Sequence, residues 1–458
     1  MPIVDPPERR PRDVAALLAA AERPAAEALR LHPRYRGKVQ VLPKCPVHGL
    51  DDFAIWYTPG VAASCKAIRA NPELVYDHTN RANTIAIVSD GTRVLGLGDI
   101  GPEAGLPVME GKALLFKYLG GVDAVPLCLG TSDADELVRV VQALEPSFGG
   151  INLEDIAQPK CFDVLDRLRS TLKIPVWHDD QQGSATVILA ALQNALAILG
   201  KSPERVRIAL IGIGAANVAT YRLLKAFGID PGAIVACDSK GTLHKGRCDI
   251  ESVQELYRDK WTVCAESNER GIAGGIAEAL AGADICIAFS RSGPEIIKGE
   301  WVKGMAKDAI VFACANPVPE IWPWEALEAG ARIVATGRSD FPNQVNNALV
   351  FPGLFRGVLD VRARTITDGM ALAAAQALST GAVSAGISEH RILPTLDDWR
   401  VSAQIAAATA MEAQREGLAS LSMSEDDIHA RAIATIERAR TSTESLMAAG
   451  LMEPLSAP

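Results

Sequence analysis

The stretch 206–238 reads VRIALIGIGAANVATYRLLKAFGIDPGAIVACD. Its apolar start, 206–211, predicts a strand; 218–227 has helical character, and 233–237 predicts a second strand. Between the first strand and the helix lies the turn Gly212-Ile213-Gly214-Ala215-Ala216-Asn217. Glycines in such a turn let the backbone approach a pyrophosphate, which then sits on the helix N-terminus. Asn217 stands where a third Gly or Ala is usual, and a tight turn of any α/β fold is the alternative. Asp238 favours the dinucleotide reading. It closes the second strand 21 residues beyond Asn217, where an acid would bond the adenosine ribose. NAD or NADP is therefore expected. Asp238 favours NAD, whereas Ser239, Lys240, Lys245 and Arg247 offer partners for a 2′-phosphate.

Working outward, the runs 284–289 (DICIAF), 309–315 (AIVFACA) and 333–335 continue the strand–helix alternation of a parallel sheet with covering helices. Upstream, TIAIVS (84–89) and 94–97 flank Asp90-Gly91, which predicts a hairpin. A further apolar run covers 124–129, helical periodicity covers 135–144, and a short strand over 174–177 ends at His178-Asp179-Asp180. The window 184–199 holds Gln193 and Asn194 and falls short of the ~20 apolar residues of a membrane span, so it predicts a buried helix. Beyond Gly353 the chain turns helical and alanine-rich through 385, and again over 399–419.

At 458 residues the chain exceeds the ~250–300 at which one hydrophobic core stops growing, and two or three domains are expected. Apolar residues make up 48% and charged residues 22%, as in an ordinary globular protein. With 46 basic against 55 acidic residues the net charge is −9, which argues against a nucleic-acid partner. Nine scattered cysteines include no CxxC and the seven histidines no HxxxH, so a zinc site is not expected. A reduced, cytoplasmic protein is expected instead. The N-terminal stretch, interrupted by Glu22, Arg23 and Glu27, lacks the apolar core of a signal peptide, and no membrane association is expected.

Two acidic pairs, Glu154-Asp155 and Asp179-Asp180, each follow an apolar run. Acids at two strand ends either converge on Mg²⁺ or Mn²⁺ or serve as solvated loop acids and helix caps. Tyr57, before the turn Thr58-Pro59-Gly60, either points into a cleft or anchors the chain. Lys112 follows Gly111 and opens an apolar helix, where it either snorkels to solvent or serves chemistry. Asn316 follows the run 309–315, at the carboxyl end of the predicted sheet where ligands bind. Asn346-Asn347 lies in a polar run between apolar segments. Each of these asparagines has loop-backbone satisfaction as its alternative.

Taken in order, YTPGVA (57–62), VLGLGDIGPEAGLPVMEGKALLFK (94–117), FGGINLEDI (148–156), HDDQQGSA (178–185), the GIGAAN turn, CDSKG (237–241), ANPVPEIWP (315–323) and ATGRSDFPNQVNNALVFPG (335–353) resemble the malic enzymes of the short bacterial type. The resemblance spans roughly residues 30–420, about 85% of the chain. It implies an α/β protein with a split substrate-binding domain, a Rossmann-type doubly wound dinucleotide-binding domain, and an active site in the cleft between them. The expected organisation is an N-terminal helical arm (1–30), a substrate and metal domain (31–183) and a dinucleotide domain (184–360). A helical segment (361–458) would pack back on the substrate domain or mediate assembly.

The implied reaction is oxidative decarboxylation of L-malate to pyruvate and CO₂ with NAD or NADP and Mg²⁺ or Mn²⁺, by at least a homodimer. A malolactic enzyme, releasing lactate, is the alternative. Tyr57 matches the general acid, Lys112 the general base, and Glu154, Asp155 and Asp180 the metal ligands. Asp179 matches the carboxylate that orients the lysine, Asn316 and Asn346 match groups that hold the substrate, and Arg93 stands where longer forms have a substrate-carboxylate arginine. Gly212, Gly214, Ala215, Ala216, Asn217 and Asp238 match the cofactor site, to which Asn316 is also assigned. Gln182, Ser184, Asn217 and Trp56 depart from the family pattern at positions that bear on cofactor preference and substrate range.

Overall fold

The computed structural model describes residues 14–455, with side chains from residue 22 onward. The expected N-terminal arm enters as the helix Val14–Tyr35; its residues 1–13 lie outside the described part. Among the described residues ten strands follow in chain order. They are β1 (Thr84–Ser89), β2 (Asp123–Cys128), β3 (Gly150–Leu153), β4 (Val176–His178), β5 (Ile208–Ile211), β6 (Ile234–Asp238), β7 (Gly241–Thr242), β8 (Ile285–Ala288), β9 (Ala309–Ala313) and β10 (Ala331–Thr336).

The first sheet has the order β2-β1-β3-β4 and is parallel throughout. Because β1 lies between β2 and β3, both its edges are taken. The hairpin expected at Asp90-Gly91 therefore does not form: residues 94–98 close a small loop through the Val94–Gly98 bridge. Asp90 instead accepts from the backbone N–H and hydroxyl of Thr92, a side-chain-closed turn. The helix carrying Lys112 also begins earlier than expected. It spans Pro102–Gly120, with Pro102 in its first turn after Gly101 at φ 80°, so Lys112 sits mid-helix.

The second sheet has the order β10-β9-β8-β5-β6-β7, parallel except for the short antiparallel β7. Strand order reverses between β5 and β8, the crevice where doubly wound sheets bind ligands. Both faces of this sheet are apolar, as buried parallel strands require. Ile208 and Leu210 join the main core, while Ala209, Ile211, Cys286 and Val311 form a second apolar layer on the opposite face. The expected α/β architecture with a doubly wound dinucleotide unit is what the chain adopts.

After β10 the chain runs back through the helices Phe351–Asp360, Asp368–Ser384, Arg400–Arg415 and Glu425–Ala448. Phe351 and Phe355 place their rings 4.5 and 5.3 Å from that of Phe116 on the helix Pro102–Gly120. Arg440 stacks over Tyr118 of the same helix at 4.1 Å. The first unit is therefore built from both ends of the sequence. Helix Ser184–Leu199 continues from the π-helical turn Asp179–Gly183; together they are long and apolar enough to cross a membrane, but 72% of the most apolar window is buried inside the molecule.

Candidate active site

Parallel pairing of β3 with β4 sets Leu153 opposite His178, so Glu154-Asp155 and Asp179-Asp180 leave the sheet side by side. Lys112 enters from the helix Pro102–Gly120 and meets both pairs: its Nζ donates to Asp179 Oδ2 at 2.5 Å and forms an ion pair with Glu154 Oε1 at 2.6 Å. The lysine does not snorkel; it is 8% exposed, and Phe351 covers the amine with its ring 4.5 Å away. Asn152 Nδ2 holds the other oxygen of Glu154, and Trp177 Nε1 holds that of Asp179. The backbone N–H of Asp155, a residue at φ 56°, donates to Asp180 Oδ2 at 2.8 Å. Such a left-handed non-glycine residue is uncommon and clusters at functional sites. Gly183 is compulsory, since a Cβ there would collide with Asp179 Oδ1.

Electrostatics in this cluster are strained by its burial. Burial alone would lower the Lys112 ammonium, but the charges of Asp179, Glu154 and Asp180 and the hydrogen bond to Asp179 outweigh it and raise its pKa well above the usual value. Burial, only partly offset by Lys112, pushes the Glu154 carboxyl well up, and Asp180, Asp179 and Asp155 push it further. Asp155 is raised to about 8, chiefly by burial and next by Asp180. Asp155 Oδ2, Asn152 Oδ1, Gln182 Nε2 and both nitrogens of His178 are buried without a hydrogen-bond partner. Among the described residues no three acids, imidazoles or thiols already stand around one coordinating point. An excess of buried carboxylate oxygen, one atom of it unpartnered, is nevertheless the donor chemistry of a hard divalent cation.

In the second unit, Gly212 follows β5 at φ 81°, and a Cβ on it would stand 2.5 Å from the Phe289 carbonyl oxygen after β8. Only glycine fits this crossing of the two central strands. The helix Ala215–Phe227 starts at the turn, its N-terminal amides facing the crevice. Asn217 is fully buried and its Nδ2 bonds the carbonyls of Ile211, Gly212 and Ile287. It staples β5 to β8, which explains the departure from Gly or Ala. Asp238 ends β6, bound bidentately by Arg247 at 3.0 and 2.9 Å and by Lys260 at 2.6 Å. Burial opposes its ionisation, but Arg247 and Lys260 hold its carboxyl below the usual range.

The two units meet across the cleft at backbone level. A Cβ on Gly96 would collide with the Asn316 carbonyl, one on Gly183 would reach Asn347 Cβ at 3.2 Å, and one on Gly214 would reach Gln158 Nε2 at 3.9 Å. Acid cluster, glycine turn and Asn316 thus line one crevice. Arg93 borders it, its backbone N–H bonded to the Asp155 carbonyl. Asn346 caps the turn Asn347–Leu349 through the Ala348 N–H, so part of its polar capacity serves the backbone. Tyr57 is different. It is 72% exposed at the end of the helix Leu50–Trp56, outside the buried Lys112 cluster.

Sequence reasoning missed Asn152, Trp177, Gly183, Phe351 and the fully buried Glu320. Asn152 and Trp177 each sit two residues before the acid they hold, the spacing that returns a strand to the same face. Glu320 accepts from Ser290 N–H and Ala315 N–H, fixing the loop before Asn316. Nothing local in the sequence announces Phe351.

A parallel-sheet dinucleotide crevice facing a buried lysine–carboxylate cluster defines a nicotinamide-dependent oxidoreductase. Residues 36–169 match the malic enzyme N-terminal domain and residues 181–414 the malic enzyme NAD binding domain. The bifunctional malic/malolactic enzyme of Bacillus subtilis is 45% identical over 402 residues, covering 88% of this chain and 96% of the relative. The NAD-dependent malic enzyme of Geobacillus stearothermophilus is 47% identical over 384 residues, covering 84% and 78%. The crystal structure of Entamoeba histolytica malic enzyme superposes with a TM-score of 0.94 at 45% identity, covering 97% of this chain and 93% of that one. For the Pyrococcus horikoshii malic enzyme the values are 0.85, 48%, 90% and 96%. The chain belongs to the malic enzymes, which oxidatively decarboxylate malate with NAD or NADP.

Proposed function

We propose that Lys112 is the general base and Tyr57 the general acid of malate decarboxylation, with Glu154, Asp155 and Asp180 holding Mg²⁺ or Mn²⁺ and Asp179 orienting the lysine. The observation that carries this reading is the buried contact of Lys112 Nζ with Glu154 and Asp179 at 2.6 and 2.5 Å. When bound, the cation supplies neutralising charge and a Lewis acid for the substrate oxygens, and the nicotinamide supplies the hydride acceptor. With Glu154 and Asp180 engaged elsewhere, Lys112 loses charges that hold its proton, and burial then favours the neutral amine. The amine takes the proton of the malate 2-hydroxyl as that carbon is oxidised. Asp179, itself fixed by Trp177, keeps the amine aimed at that oxygen. Loss of CO₂ from the β-keto acid leaves enolpyruvate, and Tyr57 returns a proton to carbon 3 to give pyruvate.

Arg93, Asn316 and Asn346 are assigned to the substrate carboxylates. Gly212 to Asn217, with Asp238, cradle the dinucleotide. A homodimer or higher homo-oligomer is the proposed assembly. Nine cysteines, all free thiols, support a reducing, cytoplasmic setting. The Bacillus subtilis relative, named as bifunctional, favours a second reading in which the same residues also release lactate.

The test is nicotinamide reduction by the purified protein with L-malate and Mn²⁺, NAD and NADP run in parallel, and products assayed. Cation-dependent reduction with pyruvate is expected. Lactate without net nicotinamide reduction would replace this reading by the malolactic one.

A further inference from the structure

We infer that Arg338 is a positioning residue for malate binding: it clamps the loop after β9 so that the Asn316 amide stands at the crevice in register with the loop of Arg93. The inference rests on the reading of Asn316 as a substrate-binding residue. Arg338 acts through that loop and is assigned no contact with malate.

Arg338 lies just beyond β10, and its guanidinium reaches across to the neighbouring loop. Its Nη1 donates to the Pro317 carbonyl at 2.7 Å. Its Nε and Nη2 donate to the two carboxylate oxygens of Asp340 at 2.8 and 2.6 Å. The guanidinium also lies over the Phe341 ring at 5.3 Å, and that ring packs 6.2 and 6.1 Å from the stacked pair Trp322 and Trp324. A planar fork held at its edges and on one face keeps a single orientation. The side chain is 15% exposed, so water competes little for these bonds. Lysine, a point charge on a flexible stem, can keep the Pro317 bond but not the fork.

The loop it holds is pinned on either side of Asn316. Glu320 accepts from the Ala315 N–H, and Ser292 Oγ donates to the Val318 carbonyl and accepts the Val318 N–H. Arg338 supplies the bond between them, at Pro317. The Asn316 amide, by contrast, is unspent: the residue is exposed, and among the described residues neither atom of its amide has a hydrogen-bond partner. An asparagine that serves only its loop would be bonded, as Asn346 is to the Ala348 N–H. The Asn316 amide lies instead against Gly337, where a Cβ would stand 2.9 Å from its Nδ2. Gly337 leaves room for the amide, and Arg338 fixes the backbone that carries it.

The Asn316 carbonyl meets the first unit on the other side. A Cβ on Gly96 would stand 2.4 Å from that oxygen, and Gly96 belongs to the small loop that follows Arg93. The loop after β9 is thus held between Gly96 and Arg338. Malate carries two carboxylates a fixed distance apart, so groups that bind both must keep their own separation. A misplacement of about 1 Å by a residue outside the chemistry is enough to cost binding or rate. The clamp sets how far Asn316 stands from Arg93.

The experiment is a double-mutant cycle. Arg338→Ala, Asn316→Ala and the double variant are assayed with L-malate varied at saturating dinucleotide and Mn²⁺, each beside a thermal melt. Arg338→Ala should raise the KM for malate about tenfold, with a smaller change in kcat. Arg338→Lys, which keeps the Pro317 bond, should recover part of that loss. In the Asn316→Ala background the loss of Arg338 should add little to the KM, because no amide is left to position. If Arg338→Ala does not fold, Arg338→Lys and Asp340→Asn take its place in the same cycle. A melting temperature that falls while the KM for malate stays at the wild-type value makes Arg338 a structural clamp alone and overturns the inference. Fully additive effects of the two substitutions overturn it as well. If Asn316→Ala itself leaves the KM for malate unchanged, the reading of Asn316 falls, and the inference with it.

Discussion

Lys112 and Tyr57 are assigned to the two ends of one proton path, yet their surroundings are opposite. Lys112 sits mid-helix under an aromatic ring, its amine fixed by two carboxylates that Asn152 and Trp177 fix in turn. Tyr57 stands on a short helix with no buried residue. A base whose proton affinity must be tuned needs burial and neighbours to tune it. An acid supplied at the end of the reaction needs only to arrive at the right place.

The sharpest way to break this contrast is to remove each group and measure rate and stability together. Lys112→Met should lower malate oxidation by about 10³-fold or more. It should also destabilise the ion-free protein by about 3–5 kcal/mol, because buried carboxylates lose their counter-charge. Steady-state kinetics with a thermal melt checks both. Tyr57→Phe should cost pyruvate formation roughly 10²–10⁴-fold. It should spare oxaloacetate reduction and leave the melting temperature unchanged. Equal loss of both partial reactions would end its assignment to carbon 3.

A pH series sharpens the electrostatic half. Asp155 is raised to about 8, chiefly by burial. An acid whose folded value lies above its unfolded value of ~3.9 contributes stability that is fully present below that value and lost as pH climbs through the folded one. The chelated protein should therefore melt at progressively lower temperature between about pH 4 and pH 8. Mn²⁺ should raise the melting temperature more at pH 8 than at pH 5. A pH-independent cation effect would remove the carboxylate cluster as its cause.

The smallest effect is expected at Asp238, whose charge Arg247 and Lys260 neutralise. Arg247→Ala leaves that charge freer to repel a 2′-phosphate and to accept a 2′-hydroxyl. The ratio of NADPH to NADH affinity, read by fluorescence titration, should fall about tenfold, or roughly 1.4 kcal/mol.

Much of this was legible in the sequence because it is local. The glycine turn, Asp238 and most strands of the second sheet follow from apolar runs and turn residues within a few positions. The acidic pairs were visible as pairs, but their convergence depends on β3 lying beside β4, which no local pattern states. Asp90-Gly91 failed as a hairpin for the same reason: turn residues do not reveal that β1 has both neighbours already. Lys112 was expected at a helix start because it follows Gly111, a residue unfavourable inside helices, yet here Gly111 lies inside Pro102–Gly120, as does Pro107. Phe351 and Glu320 act through distant contacts, and Tyr57 was legible as a residue without being legible as a position.

Phe351 joins the lysine it covers across 239 positions of sequence, from Lys112 to Phe351. At ~5–20 residues per second, a ribosome takes roughly 10–50 s to deliver the ring after the amine has been made. The whole second sheet is synthesised in that interval. During it Phe116 has no aromatic neighbour, and the helix Pro102–Gly120 waits with an uncovered apolar side. A nascent chain halted anywhere in the nucleotide-binding half therefore carries Lys112 without its roof, in a form that chaperones and proteases can recognise.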